Sequence, residues 1–250
     1  VPDRICHIAA FCAFLAFLAP CGCRTVHVAE SEKSGQEVEL FWKAAEGEKL
    51  SYNYAYESSP ENGKTTSAVY YWIIMLWGDD KAAVSLVSKE VKAVMDRKGQ
   101  CYSAENPSQP AEEGIQFELA SLFPLPSGKI NKGEPWTIEG SSSSEGRMFS
   151  WSVTATLTGF EEWQGKNCAV ITVNTKWQTS VDVPEFTFAI VGTDAGTVLF
   201  DITAGRFVKG EFSGEVTRTG RLKPQKAEEL APPEEKTTEK ITTRYTLRSE

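Results

Sequence analysis

The chain has 250 residues, with 26 basic and 34 acidic side chains and a formal charge of −8. This acidic balance excludes a phosphate-backbone binder, which needs a basic surface. Only two histidines occur, His7 and His27, both near the N-terminus, which excludes most histidine-based metal and acid–base chemistry. Hydrophobic residues make up 41% and charged residues 24%, ordinary globular values, and the length allows one domain, or two small ones, with room for a real core.

Residues 8–19 form an uncharged apolar run preceded by Arg4 and His7. It is shorter than the roughly 20 residues a membrane-spanning helix needs, and it fits the apolar region of a secretory signal peptide. Leu18-Ala19-Pro20-Cys21-Gly22-Cys23-Arg24 follows. This stretch resembles the lipobox of bacterial lipoproteins, where a cysteine just after the apolar run receives a diacylglyceryl group and becomes the new N-terminus. Cys21 has Leu18 three residues before it, and Cys23 has the small Gly22 directly before it, so either is a candidate for lipid attachment. Cleavage after Ala29 is the alternative. One acyl chain holds a protein to a membrane marginally, whereas two or more anchor it stably. Residues 1–22 are thus expected to be a signal peptide with a lipobox-like end, and 23–36 a flexible polar spacer.

Val38-Glu39-Leu40-Phe41-Trp42 predicts a first strand. Leu50 to Glu57 carries tyrosines at every second position, 52, 54 and 56, the period of a strand with one buried face. Pro60-Glu61-Asn62-Gly63 is a turn signal. Residues 68–77 are a continuous apolar run rich in Tyr, Trp and Ile, which predicts a long central strand ending in a hairpin at Gly78-Asp79-Asp80. Residues 81–97 carry two patterns at once. Val84, Val87, Val91 and Val94 recur at helical spacing, while Val87, Val91, Ala93 and Met95 share strand parity. The preceding hairpin signal points to strand.

Cys101 and Cys168 are the two cysteines of the body. An exported compartment permits a disulfide between them, and the alternative is two buried apolar thiols. There is no CxxC pair for redox or zinc chemistry. Ile115 to Phe123 predicts one or two helical turns, broken by Pro124 and Pro126. Residues 140–146 read as a flexible hairpin tip. Phe149 to Phe160 alternates around Trp151, Val153, Ala155 and Leu157. Trp163-Gln164-Gly165-Lys166 is a turn, and strands are predicted at Cys168–Val173, Phe186–Val191, Gly196–Asp201 and Arg206–Val216. Asp201 is placed to bind its own turn backbone, with Gly205 at a position that needs positive φ. Residues 223–239 read as a Pro/Glu/Lys-rich linker, and 240–250 as a polar C-terminal edge strand of the same β domain, which spans 37–222. Many short strands with frequent turns predict an all-β fold: a curved antiparallel sheet, open barrel or sandwich with little helix beyond the signal segment.

Five landmarks in this order carry a family resemblance. They are Gly47-Glu48-Lys49-Leu50-Ser51-Tyr52; Gly78-Asp79-Asp80 with Lys92-Ala93-Val94-Met95-Asp96 and Tyr102-Ser103; Lys132-Gly133-Glu134-Pro135-Trp136; Leu157 to Ala169; and Phe200-Asp201-Ile202-Thr203-Ala204-Gly205-Arg206-Phe207. Over roughly residues 37–247 the chain resembles an uncharacterised family of bacterial exported lipoproteins. The resemblance implies a large curved antiparallel sheet, similar to periplasmic lipoprotein carriers that cradle acyl chains. The chain departs from that family at Tyr102-Ser103, where an acidic residue usually precedes the serine.

No catalytic constellation stands out. No histidine follows His27 to serve a nucleophile, and adjacent carboxylates such as Glu161-Glu162 point to opposite faces of a strand. There is no phosphate loop and no metal-ligand spacing. Tyr70, Trp72, Trp77 and Trp151 are candidates for an apolar ligand face, against the alternative of an ordinary β core. The expectation is an exported, membrane-anchored binding or carrier module for an apolar ligand such as lipid, with no cofactor and no nucleic-acid partner. The second expectation is a structural or interaction component of the cell envelope, docking through a sheet edge.

Overall fold

The computed structural model describes residues 25–28, 37–60, 65–78, 80–86, 91–224 and 233–248, with side chains described throughout these except at 25–28, 69–76, 86, 91 and 92. The strands are β1 (Thr25–Val28), β2 (Lys49–Pro60), β3 (Thr66–Gly78), β4 (Lys81–Leu86), β5 (Val91–Asp96) and β6 (Cys101–Ser103). Helix α1 (Glu113–Leu122) follows, then β7 (Pro135–Ser144), β8 (Arg147–Trp163), β9 (Lys166–Asp182), β10 (Phe186–Asp201), β11 (Arg206–Leu222) and β12 (Glu235–Leu247). All pair antiparallel in one 12-stranded sheet of order β1-β7-β8-β9-β10-β11-β12-β2-β3-β4-β5-β6. The fold is all-β, as the alternating pattern predicts.

Local chemistry explains the hairpins. Glu145 and Gly146 have φ 46° and 75°, and Gln164 and Gly165 have φ 50° and 74°. Two successive left-handed residues match the right-handed twist of the flanking strands. At the β10–β11 turn, Asp201 Oδ1 accepts from the Thr203 and Ala204 amides at 3.0 and 2.9 Å. Between β8 and β9 the period of two is strict: Trp151, Val153, Ala155 and Leu157 are buried on one face, as are Ala169, Ile171 and Val173 opposite them.

The sheet is curled. The Trp42 amide donates to Arg97 O, just after β5, at 2.9 Å, and the next amide, Lys43, donates to Gly205 O between β10 and β11 at 2.9 Å. At about 4.8 Å per strand a flat sheet would hold those two places more than about 24 Å apart. Only strong curvature brings them to the two sides of one dipeptide. Residues 37–48 therefore act as a strap across the base of the curl, with Leu40, Trp42 and Ala44 buried in the shared core. Bulges at Tyr52/Asn53, Val84/Ser85, Leu157/Gly159 and Leu199/Phe200 add local bend and twist.

Small residues on the inner face make room for large ones. Gly192 pairs with Trp177, Gly196 with Phe212 and Gly210 with Tyr245, and in each case the ring lies where a Cβ on the glycine would sit. A curved sheet crowds its concave side, and a glycine covered by a cross-strand ring relieves that crowding without leaving a void.

Four expectations are corrected. The predicted spacer at 23–36 is not spacer throughout, since Thr25–Val28 form β1, paired with β7. Val38–Trp42 forms no strand; Val38 makes an isolated bridge to Ile130, because this segment crosses the sheet as a strap. The C-terminal strand is not at an edge. β12 sits between β11 and β2, and it begins at Glu235, within the predicted linker. Its polar look comes from long strands whose outer face meets water, a property central strands of a one-sided antiparallel sheet share with edges. Residues 140–146 are largely strand, since β7 runs to Ser144. The ambiguous 81–97 stretch forms β4 and β5.

Candidate functional site

The inner face of the curl is covered on one flank by α1. Phe117 of that helix packs its ring against Phe149, Trp151 and Trp177 at centroid distances of 5.8, 5.9 and 6.1 Å. Trp151 Nε1 donates to Glu113 Oε2 at 2.7 Å. Glu113 is 8% exposed, and its other oxygen has no hydrogen-bond partner. Burial raises its carboxyl above the ordinary range, and the indole bond partly offsets this. At the far end of the helix Tyr245 Oη donates to Leu122 O at 2.7 Å, tying α1 to β12. Phe123 then fills the base against Trp42, Tyr52, Phe207 and Tyr245.

Farther around the concavity, sharing Trp177, lies a second set of side chains. Tyr54 and Tyr56 of β2, Trp177 of β9 and Asp194 of β10 are each half-buried. Glu118 of α1 has an exposed side chain, yet the protein packed around it disfavours its charge and pushes its carboxyl up to about 7. Burial also raises Asp194, which accepts from Trp177 and Thr175, and pushes the Tyr54 hydroxyl up to about 12, where Thr243 bonds it and the Glu118 and Asp194 charges face it. The groove wall is thus aromatic, with two carboxyl groups that hold protons more readily than usual.

Beyond α1 the same face carries apolar side chains flanked by two arginines. The Phe149–Thr179–Ile190 row continues to Arg218, which is ion-paired with Glu239; the next row runs Arg147, Val181, Phe188, Gly220, and Phe186 then pairs with Leu222. In β10, Phe186, Phe188 and Ile190 share the parity of Asp194, so all face inward. Ile190 is buried, Phe188 is half-buried, and Phe186 and Leu222 are exposed at the rim. An apolar track therefore runs from Phe117 and Phe149 to the open end of the strands. A separate surface cavity of about 230 Å³ lies at the base, against Leu40, Phe41, Arg97 and Pro126, and is smaller than usual small-molecule sites.

The residues expected to form a ligand face do not sit together. Trp77 is 1% exposed and packs on Trp42 under the Arg97 guanidinium. Trp151 is 3% exposed beneath α1. Both are core. Tyr70 and Trp72 lie in β3, Tyr70 across from Tyr54, but their side chains fall outside the described ones. Cys21 and Cys23 lie outside the described residues. Cys101 and Cys168 form no disulfide; the alternative of two buried thiols holds. Cys101 belongs to the inner core with Met95 and Ala111. Cys168 has the opposite parity to Ala169 and packs on the outer face with Leu199 and Val208, so the sheet stands between them. Trp177, also among the aromatics the sequence offers for an apolar groove, is half-buried on the concave face, and Tyr54 and Tyr56 are half-buried aromatics there that the ligand-face expectation left out. Period two in β2 was the available signal for the tyrosines.

Among the described residues no group of side chains has the makings of a metal site, and no helix is long and apolar enough to cross a membrane. Comparison with known protein families and with curated proteins finds no match.

Proposed function

We propose that this chain is a non-enzymatic, exported and membrane-tethered binding or carrier module, which takes an apolar ligand such as a lipid against the concave face of its sheet. The observation that carries this reading is the apolar track of Phe149, Ile190, Phe188, Phe186 and Leu222, which continues past the end of α1 to an open rim. A self-contained core would close such a face; here it is left partly open and contiguous. The tether is supported by the apolar run and the cysteines at 21 and 23. Docking a partner at the β6 edge is disfavoured, because residues 109–111 already cover that edge: Ser103 N donates to Gln109 O at 2.9 Å and Ala111 N to Cys101 O at 3.1 Å.

The test is native mass spectrometry of the full chain carrying Cys21→Ser and Cys23→Ser, so that no anchor is attached, after incubation with a phospholipid extract. The expected result is an added mass that dissociates as lipid and is reduced by Phe188→Asp. A bare chain mass after saturating incubation overturns the carrier reading.

A further inference from the structure

Strand β1 begins only two residues after Cys23 and four after Cys21. It is fixed to β7 in register, Thr25 opposite Glu139 and Val28 opposite Trp136. Because the pair is antiparallel, the chain leading back from Thr25 points along β7 toward Ser144, the end where the β7–β8 turn lies. Glu139 is five residues from Ser144, about 17 Å of strand. The stretch from Thr25 back to either cysteine reaches at most about 7 to 14 Å when extended. The opposite end of the sheet, at the Trp163–Lys166 turn, is eleven residues of β8 beyond Ser152, the partner of Glu139, or about 36 Å away. Along the strand direction either cysteine therefore comes within about 3 to 10 Å of the first end, and stays at least about 22 Å from the second, while β1 stays paired; a lipid there favours the first end at a bilayer.

The first end is also the apolar one. Met148, Phe186 and Leu222 are 50%, 40% and 59% exposed. They lie at the same end of the sheet, Phe186 and Leu222 paired on the inner face of β10 and β11, and Met148 on the outer face of β8 across β9. The charges around them are mixed: Lys223 Nζ bonds Asp182 Oδ1 at 2.5 Å, with Arg147, Arg221, Glu145 and Glu185 nearby in sequence. A balanced rim of this kind suits a zwitterionic surface better than a strongly anionic one.

We infer that the rim formed by Met148, Phe186 and Leu222 is a bilayer-docking surface, pressed against a phosphatidylcholine-like headgroup layer by the lipid on Cys21 or Cys23. This rests on the tethering reading. It also places the mouth of the apolar track at the membrane, where a lipid ligand would enter.

The experiment uses the full chain, labelled with an alkyne-bearing fatty acid during expression and reconstituted in phosphatidylcholine vesicles. Benzoyl-phenylalanine is placed at position 186, 222 or, as the far-end control, 160, where Phe160 is likewise exposed at 43%. All three positions are exposed, so the substitutions leave the core intact. Fatty-acid label on Cys21 or Cys23 with several-fold more phospholipid crosslinking from 186 and 222 than from 160 is the expected result. Label present with equal crosslinking at all three sites overturns rim docking and leaves the tether standing. No label on either cysteine overturns the tether and the docking geometry built on it.

Discussion

Trp177 lies directly opposite Gly192 in the β9–β10 ladder, and its indole occupies the volume a side chain at 192 would need. The ring can lie flat on the concave face only because its partner has no Cβ. The same ring packs on Phe117 of α1 and donates to Asp194, so one glycine sets the position of the helix side and the groove side together.

Gly192→Ala is expected to destabilise the fold by about 1–3 kcal/mol, the usual range for overpacking a closed site. Gly114→Ala is the contrast: no atom lies within 4 Å of its built Cβ, and it sits in a helix, so it should be neutral or stabilise by up to about 1 kcal/mol. Urea midpoints of the two variants decide; equal midpoints would contradict the packing argument.

Glu113 and Trp151 form a buried pair with one hydrogen bond. Glu113→Ala leaves the indole N–H unpaired and should cost about 1–3 kcal/mol. Glu113→Gln keeps a neutral acceptor and should avoid most of that loss. If Gln and Ala variants unfold at the same denaturant concentration, the bond contributes nothing.

Stability should depend on pH in a definite direction. Glu113, Glu118 and Asp194 all hold protons above the ordinary carboxylate range because burial disfavours their charge. Between about pH 4, where unfolded carboxyls titrate, and about 7, where Glu118 does, the native state binds more protons than the unfolded one. Stability is therefore largest at the acid side of that window and falls as pH rises through it, and the Glu118 contribution flattens above about 7. Water reaches Glu118, which reduces the size of its share. Denaturation curves at a series of pH values should show Glu118→Gln with a shallower fall near pH 6–7 than the parent chain; parallel curves would remove Glu118 from this account.

Binding should follow the same proton. A neutral Glu118 suits an apolar ligand and a charged one opposes it, because burying an unpaired charge is costly. Fluorescence titration with an apolar dye is expected to give weaker affinity as pH rises through about 7, and little pH dependence in Glu118→Gln. Affinity that strengthens with pH would place the ligand elsewhere.

The two body thiols should be inert in the native chain. Cys101 and Cys168 are buried and outside any disulfide, and burial pushes Cys168 up to about 11, so little of its thiolate exists at neutral pH. Peptide mapping after maleimide treatment should find both unmodified until denaturant is added. Rapid native labelling of Cys168 would show that the outer cluster around Leu199 and Val208 opens readily.

What the amino-acid order determined by itself is local. Period two placed the strands around Trp151, Val153, Ala155 and Leu157. Left-handed turn residues placed the hairpin at Gln164–Gly165, and Asp201 bound its own turn as its position suggested. Each of these depends on contacts a few residues apart, where backbone sterics and hydrogen bonding leave little choice. Tertiary structure decided the rest. β12 could pair with β2 only through a contact nearly two hundred residues long in sequence, such as Tyr245 with Tyr54, which no local pattern encodes. The strap at 37–48 looks like a strand in isolation, and became a crossing segment because the curl left a gap at its base for Leu40 and Trp42 to fill. The same curvature buried Trp77 and Trp151, moved the open aromatic wall to Tyr54, Tyr56 and Trp177, and set the sheet between Cys101 and Cys168. Side-chain parity is local, but which face becomes the inside is decided only when the whole sheet bends.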